Sequence, residues 1–156
     1  MNLKNLLPQI LFLVLIHFIG FSQKNDSDLG YIQPLQTEAT KRYCLTLELK
    51  DDPELIEEYE SWHRPDNIWQ EVTEGIKSVG IIDSEIYRSG TQLFMILTVP
   101  ADFDFEKQMT RLAELPRQAE WEAFMSKFQA SDPNASSSEK WVKMKRIFKL
   151  SPIEEE

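Results

Sequence analysis

Residues 42–99 read RYCLTLELKDDPELIEEYESWHRPDNIWQEVTEGIKSVGIIDSEIYRSGTQLFMILTV, and this stretch decides the fold. Its first eight residues alternate apolar and polar side chains, which is the period of a β-strand. Residues 51–54, Asp-Asp-Pro-Glu, predict the start of a helix, because aspartate caps a first turn and proline fits into it. Apolar side chains then recur at helical spacing until Arg64 and Pro65 interrupt the helix.

The rest of the chain continues this order of strands and helices. A second helical stretch is predicted over 66–79, ended by Gly80, and a hairpin over 81–99 with its turn at Ser89-Gly90. Further helical spacing begins at Phe105 and again at Trp121, and the final strand is predicted over 141–150. The order βαββαβ predicts an α+β, ferredoxin-like sandwich. Helices cover one face of such a sheet, so a ligand or a second sheet must cover the other.

The length of 156 residues fits one main domain. We divide the chain into a signal peptide at 1–22, an N-terminal extension at 23–40, the α+β domain at 41–151 and an acidic tail at 152–156. Lys4, the apolar run 6–21 and the small residues Gly20 and Ser22 predict cleavage and export, most simply to a periplasm. An uncleaved membrane anchor is the alternative, but an apolar run of this length is short for spanning a bilayer.

Composition excludes several classes of function. The formal net charge of −9 opposes binding to nucleic acid, whose phosphates would be repelled. The single cysteine, Cys44, allows no intramolecular disulfide, and its place in an apolar stretch predicts a packed strand residue. No metal-ligand spacing and no phosphate-binding glycine motif is present, so we expect neither a metal nor an organic cofactor.

Few residues can carry acid–base chemistry. His63 is the only histidine outside the signal segment, and Tyr59 precedes it by four residues on the same predicted helix. The two side chains therefore share one helical face, and an imidazole beside a phenol is a reasonable acid–base pair. A simpler interpretation is that His63 only interacts with the helix dipole. Trp69 and Trp121 can likewise be core residues.

Several motifs together resemble the L-rhamnose mutarotase family, over about residues 42–150. The most specific is Tyr-x-x-x-His followed by Ile-Trp-x-Glu, present here as Tyr59, His63 and residues 68–71. The hairpin EIYRSGTQLFMIL, the helix EWEAFM and the closing EKWVKMKRIFKL also fit the family. The second tryptophan of the family's Trp-Trp pair is Glu122 here. Gln70 replaces a proline of the enterobacterial pattern, and the spacing from His63 to Trp69 is two residues longer.

The resemblance implies a fold, a dimer and a reaction. Two ferredoxin-like sheets would face each other in a homodimeric α+β barrel, and a monosaccharide such as L-rhamnose or L-fucose would exchange its α and β anomers. His63 would be the catalytic acid–base with Tyr59 beside it, while Trp121, and Trp69 with it, would bind the sugar. No cofactor is implied. Two alternatives remain from the residues: a sugar-binding module without catalysis, and a monooxygenase of the dimeric α+β barrel type.

Overall fold

The structure, a computed structural model, describes residues 30–34, 36–132, 135 and 137–150. The predicted signal peptide and acidic tail lie outside these residues, as does much of the N-terminal extension. The chain divides into two compact units, Met1–Pro34 and Leu35–Glu156, and the second contains all the regular structure described below. Within the described part of the chain, every helix is too short or too polar to cross a membrane.

The second unit is a four-stranded antiparallel sheet with helices packed on one face. The sheet order β2-β3-β1-β4 is that of the split βαβ arrangement, so the predicted α+β, ferredoxin-like class is confirmed. The elements in chain order are β1 Thr40–Glu48, α1 Pro53–Trp62, α2 Gln70–Ser78, β2 Asp83–Ser89, β3 Gln92–Pro100, α3 Phe105–Ala113, α4 Gln118–Met125, α5 Ser137–Lys140 and β4 Val142–Lys143.

The register of β1 against β3 assigns side chains to the two faces of the sheet. Leu45 pairs with Met95 and Leu47 with Leu93, and these side chains join the core beneath the helices. Cys44 pairs with Ile96 and therefore lies on the opposite face, because side chains alternate along a strand. Cys44 is exposed, so the prediction that it is packed was wrong. The packed side chains of β1 are its odd-numbered leucines.

The helix starts follow capping chemistry. Asp52 Oδ1 accepts hydrogen bonds from the backbone N–H groups of Glu54 at 2.9 Å and Leu55 at 3.2 Å, which confirms the predicted cap of α1. The second helix starts at Gln70, four residues later than predicted. The Arg64 carbonyl accepts from the backbone N–H groups of Asn67 and Ile68, so this stretch forms turns packed onto the end of α1.

Two further boundaries differ from the prediction. The hairpin turn is Gly90-Thr91, because Ser89 already pairs with Gln92 and Gly90 takes the positive φ of 61° that the turn needs. The last strand ends at Lys143 instead of continuing to residue 150. Met144 still donates its N–H to the Cys44 carbonyl at 2.7 Å, but residues 145–149 pair with no strand among the described residues.

Candidate active site

A cavity of about 1000 Å³ lies between the helices and the covered face of the sheet. Its lining is mostly apolar, with a few polar groups along α1 and α4, and this combination is typical of small-molecule sites. Three of the four predicted site residues line it: Tyr59, His63 and Trp121. The structure therefore brings together side chains that are up to 62 positions apart in the sequence.

His63 is held in one orientation by its own helix. It is the C-cap residue of α1, and its Nδ1 lies 2.9 Å from the Tyr59 carbonyl oxygen. A carbonyl oxygen can only accept, so Nδ1 carries the proton and donates it. In the neutral ring Nε2 is then the basic nitrogen. The Tyr59 ring lies beside the imidazole, with the two ring centroids 4.2 Å apart.

Burial sets the protonation states of this pair. Desolvation lowers the pKa of His63 below 6.5, although the hydrogen bond to the Tyr59 backbone opposes the shift, so the imidazole is neutral at neutral pH. Burial also raises the pKa of Tyr59 well above its ordinary value of 10, and the negative charge of Glu122 adds to this. Tyr59 is 3% exposed and remains a neutral phenol. The site thus combines a neutral base with a neutral hydroxyl donor.

The two predicted tryptophans occupy different positions. Trp121 lines the cavity with its ring centroid 5.6 Å from that of His63. Trp69 is not among the lining residues and packs behind Trp121, with ring centroids 5.3 Å apart. The Arg117 guanidinium lies 4.3 Å from the Trp69 ring centroid, which is cation–π distance. Trp69 therefore supports the wall that Trp121 forms.

The sequence analysis missed most polar residues of the lining in this role, and three of them lie on or just after α4: Gln118, Glu122 and Gln129. Gln118 begins α4, Glu122 lies one turn later, and Gln129 follows the end of the helix. Gln118 Nε2 donates to Glu122 Oε1 at 3.0 Å. The signal that could have found Gln118 and Glu122 is their position one helical turn apart, on either side of Trp121 in the same helix. No such local pattern marks Gln129.

The side chains of the described residues were also compared with the requirements of a metal site. No group of three or more His, Cys, Asp or Glu side chains comes close enough to hold a metal ion in this part of the chain. The polar groups of the cavity lining include the His63 imidazole, the Tyr59 phenol, the Glu122 carboxylate and the amide of Gln118, and other carboxylates, hydroxyls and lysines line its remaining wall. These groups can exchange protons and hydrogen-bond hydroxyl groups.

Comparison with known proteins is consistent with this chemistry. A family model described as L-rhamnose mutarotase matches residues 42–150. An L-fucose mutarotase of Xanthomonas campestris pv. campestris is 44% identical over 111 residues, which cover 71% of this chain and 89% of that protein. A UPF0734 protein of Dictyostelium discoideum is 40% identical over 114 residues, which cover 70% of this chain and 90% of that protein.

A solved structure supports the fold independently. The crystal structure of an L-rhamnose mutarotase from Formosa agariphila superimposes with a TM-score of 0.53 at 18% identity, covering 71% of this chain and 99% of that one. The family match spans the βαββαβ unit from the third residue of β1 onward and includes every residue of the cavity discussed above. The chain therefore belongs to the L-rhamnose mutarotase family and is an isomerase that interconverts the anomers of a sugar.

Proposed function

We propose that the substrate is a free 6-deoxy-hexose, L-fucose or L-rhamnose, and that His63 is the catalytic acid–base. The names of the relatives support this choice of sugar, since one is an L-fucose mutarotase and the family is named for L-rhamnose. The observation that carries the role of His63 is the hydrogen bond from its Nδ1 to the Tyr59 carbonyl. That bond leaves Nε2 as the base of a residue that lines the cavity.

Mutarotation moves two protons. Nε2 of His63 takes the proton of the anomeric hydroxyl while the bond between the anomeric carbon and the ring oxygen breaks, which gives the open-chain aldehyde. Tyr59 gives its hydroxyl proton to the departing ring oxygen, because even a phenol of raised pKa is a stronger acid than the alcohol being formed. Rotation of the aldehyde and closure on its other face reverse both transfers. The site ends in its starting state without a cofactor.

Trp121 forms the apolar wall for the sugar. Its side chain is 6% exposed and its ring is fixed between His63 and Trp69. An indole face offers contact to the C–H groups of a pyranose and to the methyl group of a 6-deoxy sugar. Trp69 lies behind this wall, so its contribution to binding acts through the position of Trp121.

The direct test is anomer exchange measured by NMR saturation transfer on equilibrated sugars. L-Fucose, L-rhamnose, D-glucose and D-galactose form the panel, with and without protein. We expect exchange of at least one 6-deoxy sugar to be faster with protein than in buffer, and faster than for the D-sugars. Binding of a sugar without faster exchange would instead indicate a non-catalytic binding module.

We also propose that the active form is a homodimer joined through the uncovered sheet face. That face carries apolar side chains, among them Phe94 and Ile96 beside Cys44. Leu45, Leu47 and Leu49 do not belong to this face, because they lie in the core beneath the helices. The C-terminal segment also exposes apolar side chains, with Ile147 93%, Phe148 74% and Leu150 84% exposed. Such exposure on a soluble chain is typical of an interface.

The sequence of residues 1–22 supports a proposal of export, with cleavage before Gln23 and a periplasmic location. The supporting features are Lys4, the apolar run 6–21 and the small residues at its end. In that location the enzyme would act on sugars released outside the cytoplasm.

A further inference from the structure

Two buried glutamines on the cavity wall have side-chain carbonyl oxygens that receive no hydrogen bond from the described part of the chain. Gln118 is 6% exposed and Gln129 is 3% exposed, and both line the cavity. No group among the described residues donates to the Oε1 atom of either side chain. Buried polar atoms in native proteins are nearly always hydrogen-bonded, so each orphaned carbonyl needs an explanation.

The orientation of the Gln118 amide follows from its partner. Its amide nitrogen faces Glu122 Oε1 at 3.0 Å. Because a carboxylate accepts hydrogen bonds, the group facing it must be the NH₂ and not the carbonyl. Glu122 therefore fixes the side chain in one of its two amide orientations, and the Oε1 of Gln118 is left for a different donor.

A sugar supplies the missing donors. Each hydroxyl group of a pyranose can donate one hydrogen bond. Gln118 lies on the same helix as Trp121, and Gln129 lines the same cavity. We propose that Gln118 and Gln129 each accept a hydrogen bond from a sugar hydroxyl and thereby select which hexose the enzyme binds. This inference rests on the proposed function and adds to it the residues that discriminate between sugars.

The proposal makes a distinction that a purely structural role does not. A site built to pair a hydroxyl rejects an analogue without it, since a buried acceptor is then left alone. The two glutamines take no part in the proposed proton transfers, so their loss should raise KM and leave kcat nearly unchanged. Replacement by methionine keeps the length and volume but removes the acceptor.

The experiment measures KM and kcat for anomer exchange in wild type, Gln118→Met and Gln129→Met. Gln108→Met is the matched control, because Gln108 Oε1 is also a buried acceptor without a donor but Gln108 does not line the cavity. We expect KM to rise about tenfold in each site variant, as for the loss of a hydrogen bond of ~1.4 kcal/mol, and to stay unchanged in the control. Thermal stability without sugar should not fall in Gln129→Met, whereas Gln118→Met also loses its hydrogen bond to Glu122 and should unfold at a somewhat lower temperature.

Deoxy analogues of the accepted sugar provide the second measurement. An analogue lacking the relevant hydroxyl should bind wild type about tenfold more weakly, but should bind the matching variant as well as the parent sugar does. A KM in both variants equal to that of Gln108→Met would overturn the proposal. So would a result in which each deoxy analogue loses the same affinity, relative to the parent sugar, in wild type and in the variants. The wild-type analogue series decides the question even where a variant does not fold. Absence of exchange by wild type on all sugars would contradict the proposed substrate class instead.

Discussion

The Tyr59 carbonyl oxygen holds Nδ1 of His63 at 2.9 Å, so the orientation of the imidazole depends on the main chain and not on another side chain. In many acid–base sites a carboxylate has this role. A carbonyl cannot take up the imidazole proton and carries no net charge, and desolvation therefore dominates the pKa of His63. Because the partner of Nδ1 is a main-chain carbonyl, the Tyr59 side chain can be changed without removing the hydrogen bond that holds His63.

Replacing His63 tests the central assignment. His63→Ala should fold normally and lose about 10²–10⁴-fold in catalysed anomer exchange, the usual contribution of a general acid–base. His63→Asn should behave in the same way, because an amide hydrogen-bonds but does not titrate in this range. Saturation-transfer NMR measures exchange, and circular dichroism checks the fold. Exchange near the wild-type rate in folded His63→Ala would reduce His63 to a helix-end residue.

Tyr59→Phe removes one hydroxyl while the ring keeps its edge contact with Phe128, whose centroid is 5.9 Å away. We expect a loss of about 10²-fold, at the lower end of the usual contribution of a general acid, because the phenol protonates the ring oxygen in the proposed mechanism. The Nδ1 anchor remains, so the imidazole should titrate in the variant. Tyr43→Phe is the control, since Tyr43 is not among the residues that line the cavity. Equal rates in the two variants would exclude a role for the Tyr59 hydroxyl.

The pH profile follows from the lowered pKa of His63. The neutral base is lost as pH falls through that pKa, so the acid limb of kcat/KM should have its midpoint below 6.5. The same shift affects stability. The unfolded state binds the proton more tightly, so stability is complete above about pH 6.5 and declines as pH falls through the folded pKa. His63→Asn should lose less thermal stability than wild type between pH 7.5 and 5; an equal loss would contradict the shift.

The proposed dimer makes the Cys44 thiol a reporter. Cys44 is exposed in the isolated chain and pairs with Ile96 on the uncovered face. A dimer through this face should protect the thiol from a disulfide reagent, and light scattering should give about twice the 18.3 kDa chain mass. Ile96→Glu should produce a monomer whose thiol reacts rapidly, because a buried charge opposes association. A wild-type monomer at micromolar concentration would refute the dimer.

Export predicts a shortened chain. Mass spectrometry of protein purified from its native source should give a mature N-terminus near Gln23, and fractionation should place it outside the cytoplasm. A chain that retains Met1 and is recovered with cytoplasmic proteins would contradict both parts of this proposal.

Local patterns in the sequence predicted most of the fold because the relevant interactions are local. The alternation around Leu45 and the cap at Asp52 each depend on a few neighbouring residues, and both are found in the structure. The extent of the last strand was not predictable in this way. Its pairing depends on a partner strand that must lie beside it, and the alternation of Ile147 with its neighbours carries no information on that partner.

The same distinction between local and tertiary interactions applies to the candidate site. Tyr59 and His63 lie one helical turn apart, so their proximity follows from the helix alone. The role of Gln118 depends on its burial in the tertiary structure and on the direction of its amide, neither of which is fixed by its immediate neighbours. The placement of Trp69 behind Trp121 likewise depends on how the start of α2 packs on α4.

The acid–base pair lies on α1, whereas Gln118, Trp121 and Glu122 lie on α4. This separation has an evolutionary consequence. Mutations on α4 can change the accepted sugar while the proton-transfer groups and their main-chain anchor on α1 stay intact. Glu122, which stands where the family has a second tryptophan, lies on this helix. A change of sugar preference by successive mutations on α4 would therefore leave every intermediate enzyme able to transfer protons.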